Sequence, residues 1–254
     1  MPPRTADDLL ALFENVANKI RRALKDLEDW EPLGKAGAHA GQYRHDVVAD
    51  DVALAILDNA GVGVLSEESG LRRADAGIVV IIDPIDGSSN ASRGLPWFAT
   101  SLCAVDEEGP IASMVVNQST GVVYTAVRGG GARRDGSLVK PRAIVELGNA
   151  FVAVSGLPPR HLGWRQFRCL GAAALDLCGV ADGTLDAFVD CSRNAHGVWD
   201  YAGALLVCQE AGVPIVDATG RDLMVLDPAI RRTPIAACTA VLLDEIRTAR
   251  QTFE

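Results

Sequence analysis

Aromatic side chains are scarce in this chain of 254 residues: Phe, Tyr and Trp together make up 5% of it. So few rings leave no visible platform for stacked bases. Histidine is sparse as well, and His39, His45, His161 and His196 are too scattered to suggest a metal set. Positive charge is short, with 24 Lys and Arg against 33 Asp and Glu and a net charge of −9. Such a surface repels nucleic-acid phosphates, so no nucleic acid is expected as a partner. None of the cysteines, at 103, 169, 178, 191, 208 and 238, has a CxxC partner. All lie among apolar or small residues and read as buried, reduced thiols of a cytoplasmic protein. Long apolar runs are missing too: residues 78–82 form the densest one, far short of the about 20 residues that a membrane span takes. Residues 1–10 lack the basic-then-apolar order of a signal peptide, so a cytoplasmic location and no membrane partner are expected.

What is present is ample apolar material, 48% of the chain, and length enough for a real core without disulfide or metal staples. At roughly 150 residues per domain the chain makes between one and two domains. Thr5 and Asp8 form a capping pattern, and Leu9, Leu12, Phe13, Val16, Ile20, Leu24 and Leu27 recur at helical spacing. Residues 31–42, rich in glycine and alanine, are either a lid or a plain surface connection. A second helix is expected over 47–59, ending at Gly61, and strands over 62–65, 78–82, 97–105, 111–116 and 122–127. Asp135-Gly136 is a hairpin signal. Strands near 151–155, 186–190, 213–217 and 235–239 then alternate with helices near 171–181 and 199–211 and with a final helix. Antiparallel strands first and alternating units second make one catalytic unit of two layered halves, α+β over about 1–141 and α/β over about 149–254.

The stretch 78–90, IVVIIDPIDGSSN, carries the chemistry. A buried strand ends in Asp83 and Asp86, with Pro84 where the chain must leave the sheet. The two carboxylates and the Ile85 carbonyl form the oxygen set that a hard cation such as Mg²⁺ prefers. Gly87, Ser88 and Ser89 follow as the start of a helix, whose free amides suit a phosphate. Read singly, Asp86 is a turn residue and Ser88 a cap; the whole string is more specific than that. Glu67 follows the strand 62–65, Asp200 opens a helix after Trp199, and Asp46 opens the second helix. Carboxylates gathered at close range need cations between them, which also lets an acidic protein bind a phosphate ester.

With these residues in view, the sequence resembles the inositol monophosphatase superfamily of metal-dependent sugar phosphatases. The resemblance runs from about Leu9 to Phe253 and rests on SEES around Glu67, DPIDGSSN from Asp83 to Asn90, and WDYAGALLVCQEAG from Trp199 to Gly212. The segment ASRGLPWFATSLCAV is similar to the archaeal-type branch, in which inositol monophosphatase and fructose-1,6-bisphosphatase activities share one enzyme. The resemblance implies a layered αβαβα sandwich and a homodimer. It implies Glu67, Asp83, Asp86 and Asp200, with the Ile85 carbonyl, as ligands of two or three Mg²⁺ ions, for which Mn²⁺ can substitute. Ser88 stands where the family has threonine, and with Asp46 it implies the pair that orients and deprotonates the attacking water. A departure is Val48, where the family has threonine. Arg168, Ala172, Ala173 and Asp190 are similar to the segments that meet the sugar, and Arg193 or Arg93 would clamp a second phosphate bidentately.

Those implications make a Mg²⁺-dependent phosphatase of a small sugar or inositol phosphate, acting by in-line attack of water with no phosphoenzyme. The alternatives are a 3′(2′),5′-bisphosphate nucleotide or NADP phosphatase of the same superfamily, and a non-catalytic metal-binding regulatory protein. A haloacid-dehalogenase-type enzyme wants DxD spacing, whereas Asp83 and Asp86 are DxxD.

Overall fold

The computed structural model describes residues 5–27 and 42–253. The first helix, α1 (Ala6–Lys25), opens on a reciprocal cap: Thr5 Oγ1 accepts from the Asp8 amide and Asp8 Oδ2 from the Thr5 amide, both at 3.1 Å. Its stripe of Leu9, Phe13, Val16, Ile20 and Leu24 is buried, each large side chain contributing roughly 1.5–3 kcal/mol. Beside it lies α2 (Arg44–Ala60), which starts a few residues earlier than the sequence suggests and ends at Gly61 with φ 75°.

The two helices cover one face of an eight-stranded sheet. Its strands are β1 (Gly63–Ser66), β2 (Gly70–Arg72), β3 (Val79–Asp86), β4 (Ala99–Asp106), β5 (Gly109–Asn117), β6 (Val123–Val127), β7 (Gly131–Arg134) and β8 (Ser137–Leu138). The order is β2-β1-β3-β4-β5-β6-β7-β8, antiparallel throughout except for the parallel pair β1 and β3. Val80, Ile82, Leu102 and Met114 pack toward the helix pair, while Val79, Ile81, Cys103 and Val115 join a second core on the opposite face. Covered on both faces, β3 reads as an unbroken apolar run rather than an alternating one. The β7–β8 hairpin turns on Asp135 and Gly136, at φ 48° and 80°, as the Asp-Gly pair predicts.

Between β3 and β4 lies one helical turn, α3 (Ser88–Ser92). The later part of the chain contributes β9 (Phe151–Ser155), β10 (Gln166–Arg168), α4 (Ala173–Ala181), β11 (Ala187–Asp190), α5 (Ala202–Glu210), β12 (Ile215–Asp217), β13 (Pro234–Ala237) and α6 (Ala240–Gln251). The five strands take the order β10-β9-β11-β13-β12. The helices α4 and α5 lie against each other between the two sheets, and α6 packs on β13, which completes an αβαβα sandwich. Both inner helices are apolar around most of their circumference because both are enclosed. Gly203 lets α5 approach the first sheet: a Cβ there would come within 2.5 Å of Ser101 Oγ and 3.1 Å of Val115.

Several expectations change. Short strands β2, β7 and β10 escape a reading by periodicity, and all of β10 is exposed. Cys169 is exposed, so not every thiol is buried; all are free. The segment expected at 31–42 lies, up to residue 41, outside the described residues, as do Trp30 and His39. Among the described residues no helix is long and apolar enough to cross a membrane.

Candidate active site

Parallel pairing of β1 and β3 sets Ser66 opposite Ile82, so the next residues come side by side, Glu67 just past the end of β1 and Asp83 still within β3. The Glu67 amide donates to the Ile82 carbonyl at 3.3 Å, which fixes that register at the strand ends. A 3-10 turn, Val198–Asp200, packs against β3 and brings in a third carboxylate. One oxygen from each of Glu67, Asp83 and Asp200 lies within 4.8 Å of the others. Asp83 is 1% exposed and, among the described residues, accepts only the Ile85 amide, at 3.0 Å. Asp200 accepts the Gly197 amide at 2.8 Å.

Burial pushes all three carboxyls above the usual range. For Glu67 the charges of Asp200 and Glu68 add to it, and for Asp83 those of Glu67 and Asp86. Three acceptor-only groups in a low dielectric cannot all ionise unless a cation sits among them. Hard oxygens at this spacing fit a divalent ion of the Mg²⁺ type.

Asp86 behaves differently from the expectation that it joins this set. A bulge between Asp83 and Asp86 takes up Pro84 and Ile85, where Pro84 has no ladder hydrogen to lose. Thr100 Oγ1, itself held by Gln118 Nε2, donates to the Pro84 carbonyl at 2.8 Å and anchors the bulge. Beyond it, Asp86 turns to the first turn of α4. It accepts the Ala173 amide at 3.2 Å and the Ala174 amide at 2.7 Å. Burial and Asp200 raise its pKa, against the Ala174 amide, which lowers it.

The turn into α3 needs Gly87, at φ 88°, where a Cβ would sit 3.1 Å from the Gly171 and Trp97 carbonyls. Asn90 Nδ2 ties α3 down by donating to the Trp97 and Leu170 carbonyls, each at 2.7 Å. Ser88 Oγ donates to the Ile85 carbonyl at 2.9 Å. Ser88 and Ser89 open the helix, so their amides have no acceptor within it. Beside them lie Tyr43, with its hydroxyl 3.4 Å from Ser89 Oγ, and Asp46, which accepts the Tyr43 amide at 2.8 Å. Burial raises Asp46 to about 6, against hydrogen bonds from Tyr43 and Ser88, and lowers neighbouring His45 to about 4.

A cavity of about 230 Å³ opens beside the cluster, with Asp86, Asp200, Ala172, Ala173, Asp176 and His196 in its wall. The sequence reading passed over Asp176, whose Oδ1 accepts from Trp97 Nε1 at 2.8 Å and whose pKa burial raises to about 7. Its signal was a single charge within an apolar helical segment, AALDLCGVA. Ser155, also passed over, lies opposite Asp190 in the parallel pairing of β9 and β11 and so at the same sheet edge. His196 connects the two: Nδ1 is 3.0 Å from Asp190 Oδ2 and Nε2 is 3.4 Å from Ser155 Oγ. Burial pushes His196 down, but Asp190, Asp200 and Asp86 outweigh it and the pKa is raised.

Asp190 is fully buried, bonded to His196 and the Ser192 amide, so the cavity is presented with His196 in its place. Arg168 is exposed on β10, bonded to the Phe167 carbonyl and stacked over the Phe151 ring at 4.7 Å. Arg193 is exposed and lines a different cavity, and Arg93 is exposed at the end of α3. None of these arginines lines the cavity beside the carboxylates.

An αβαβα sandwich with this carboxylate cluster beside a cavity, taken with the chain's family and relatives, makes this protein a phosphoric monoester hydrolase. The chain belongs to the inositol monophosphatase family, whose profile matches residues 10–251. It is 30% identical over 223 residues to a fructose-1,6-bisphosphatase/inositol-1-monophosphatase of Archaeoglobus fulgidus, covering 85% of this chain and 87% of that one. A bifunctional NADP phosphatase/NAD kinase of Methanocaldococcus jannaschii is 28% identical over 267 residues, 87% of this chain and 46% of its own length. Among solved structures, a Pyrococcus horikoshii protein described as similar to inositol-1 monophosphatase superposes with a TM-score of 0.81. It has 26% identity, with 96% of each chain covered. Similarity to such relatives supports a sugar-phosphate phosphatase, and metal dependence is general in the family.

Proposed function

We propose that the protein hydrolyses a small sugar or inositol phosphate monoester, inositol 1-phosphate or fructose 1,6-bisphosphate, by direct in-line attack of water on phosphorus. The observation that carries this reading is the convergence of Glu67, Asp83 and Asp200 beside a cavity of substrate size. The Archaeoglobus relative, named for both activities, supports the substrate class. Glu67, Asp83 and Asp200 would hold the cations, with the Ile85 carbonyl beside them and Asp86 able to join by leaving the α4 amides. Two or three Mg²⁺ ions, or Mn²⁺ in their place, supply neutralising charge and Lewis acidity toward the phosphoryl oxygens when bound.

The chain's own groups do the rest. Asp46, with a pKa of about 6, is ionised at neutral pH and able to take the proton that the attacking water loses, relayed by the Ser88 hydroxyl. The amides of Ser88 and Ser89, which have no acceptor within α3 and are placed by the turn at Gly87, face the charge that grows on the phosphoryl oxygens. The bond to the sugar oxygen breaks as the water oxygen bonds to phosphorus, and the sugar alkoxide takes a proton from solvent to leave as an alcohol. Ala172 and Ala173 form one wall for the ring, and His196 and Asp176 offer hydrogen bonds to its hydroxyls. Among the described residues that wall holds no lysine or arginine.

The second reading, an NADP or 3′(2′),5′-bisphosphate nucleotide phosphatase, has the Methanocaldococcus relative behind it. Phosphate release from inositol 1-phosphate, fructose 1,6-bisphosphate, adenosine 3′,5′-bisphosphate and NADP, each with Mg²⁺ and with EDTA, separates the two. The proposal expects Mg²⁺-dependent release from inositol 1-phosphate, fructose 1,6-bisphosphate or both, and their ratio identifies the preferred substrate. Release from the nucleotides alone would establish the second reading instead.

A further inference from the structure

Behind the loop 191–197 lies a second cavity, of about 200 Å³, separate from the one beside the carboxylates. Its wall holds Arg193, Asn194, Thr219, Arg221, Thr233 and Arg250. Three guanidiniums around one small space are conspicuous in a chain of net charge −9.

Their charge is only partly used. Arg250 is 7% exposed, yet no carboxylate pairs with it among the described residues. Its Nε donates to the Asp190 carbonyl at 2.9 Å and its Nη2 to the Ser192 carbonyl at 2.7 Å, which leaves Nη1 without an acceptor. Arg221 spends Nε and Nη2 on Asp217, at 3.0 and 2.8 Å, and keeps Nη1. Arg193 is exposed and makes no hydrogen bond or ion pair with any described residue.

Asp217, the carboxylate that pairs with Arg221, does not compete for those donors. Asp217 Oδ1 accepts from the Thr219 amide and hydroxyl and from Arg221, and Oδ2 accepts from Arg221 and the Thr233 amide. Thr233 Oγ1 accepts the Asn194 amide at 3.1 Å, so its own hydrogen is free to donate. Among the described residues the wall thus keeps unused guanidinium donors and is positive by about two charges, counting three arginines against Asp217.

We infer that this cavity is a binding site for a tetrahedral dianion, either inorganic phosphate or the phosphoryl group of a small ester. Planar guanidiniums presenting N–H edges from several directions match such an anion, and partial enclosure strengthens each charge-assisted bond. The site lies outside the hydrolytic cavity and shares no lining residue with it.

The test uses the whole protein in EDTA. Without cations the carboxylate cluster repels anions, so binding there does not mask the second site. Inorganic phosphate and glycerol 3-phosphate are titrated side by side by calorimetry. The inference predicts saturable binding of at least one of them, one per chain, and the tighter of the two identifies bare anion or ester as the ligand. Arg193→Gln removes an exposed, unpartnered side chain, so the fold should survive. It should weaken binding about tenfold or more, the scale of one charge-assisted contact, with the melting temperature of the free protein unchanged. His196→Ala, in the other cavity, should leave binding as it is. No saturable binding of either anion would overturn the assignment. So would binding that Arg193→Gln leaves intact, or that His196→Ala abolishes.

Discussion

Asp83 and Asp217 are buried to the same degree, each 1% exposed, and their chemistry is opposite. Burial would raise Asp217, but the side chains of Arg221 and Thr219 and the amides of Thr233 and Thr219 outweigh it and hold the carboxyl below the usual range. Asp83 receives one amide and faces Glu67, Asp86 and Asp200, so it is held above that range. Burial alone therefore does not mark a functional carboxylate. The supply of donors does: Asp217 is complete and structural, whereas Asp83 and its neighbours need something that the chain does not provide.

The comparison breaks most visibly under a charge-neutral substitution at each place. Asp83→Asn keeps an oxygen for the Ile85 amide and removes a repelled charge. Phosphate release should fall on the order of 10²–10³-fold, while the melting temperature in EDTA at pH 8 rises. Asp217→Asn should do the reverse. It strands donors from Arg221, Thr219 and Thr233, costs about 1–3 kcal/mol by denaturant unfolding, and leaves the hydrolytic cavity intact.

The pH dependence of stability sharpens the same contrast. Glu67, Asp83 and Asp200 have raised values in the folded state, so the folded protein keeps protons that the unfolded chain has released. In EDTA, stability should be greatest below the unfolded value of about 4 and decline as pH rises toward the folded values. Saturating Mg²⁺ should remove that decline. Asp217 acts with the other sign: its contribution is full above about 3.9 and is lost as pH falls toward its lower folded value. Melting curves from pH 2 to 8, with and without Mg²⁺, check both.

The smallest effect concerns the bulge. Thr100→Val removes the hydroxyl between Gln118 and the Pro84 carbonyl, at a cost of about 1 kcal/mol. It should lower the rate of phosphate release only a few-fold by loosening the turn that presents Asp83, and an unaltered rate would show that the anchor is dispensable for positioning.

What could be read in the sequence follows the same physical divide. Glu67 sits one residue past the end of β1, and Asp83 directly follows the plain apolar run 79–82 within β3, so their placement side by side is a local property. The capped α1 and the Asp135-Gly136 hairpin are local as well. The turning of Asp86 onto α4 is not, because it depends on where a helix begins more than eighty residues later. Arg168 stacks on Phe151 because β10 lies at the sheet edge, and Arg193 faces away because its loop bridges to Arg232 through His196. Asp176 and His196 enter the cavity wall only after α4 and β11 are packed, and no spacing in the sequence encodes that meeting.

The central claim is that Glu67, Asp83 and Asp200 form a divalent-cation site. Equilibrium binding of Mn²⁺, followed by the loss of its free paramagnetic signal at pH 7.5, tests this most directly in the wild-type protein and in Asp83→Asn. The account predicts at least one Mn²⁺ per chain, displaced by Mg²⁺ and weakened at least tenfold by the substitution. Mn²⁺ binding of equal strength in both proteins, or none in either, would contradict it.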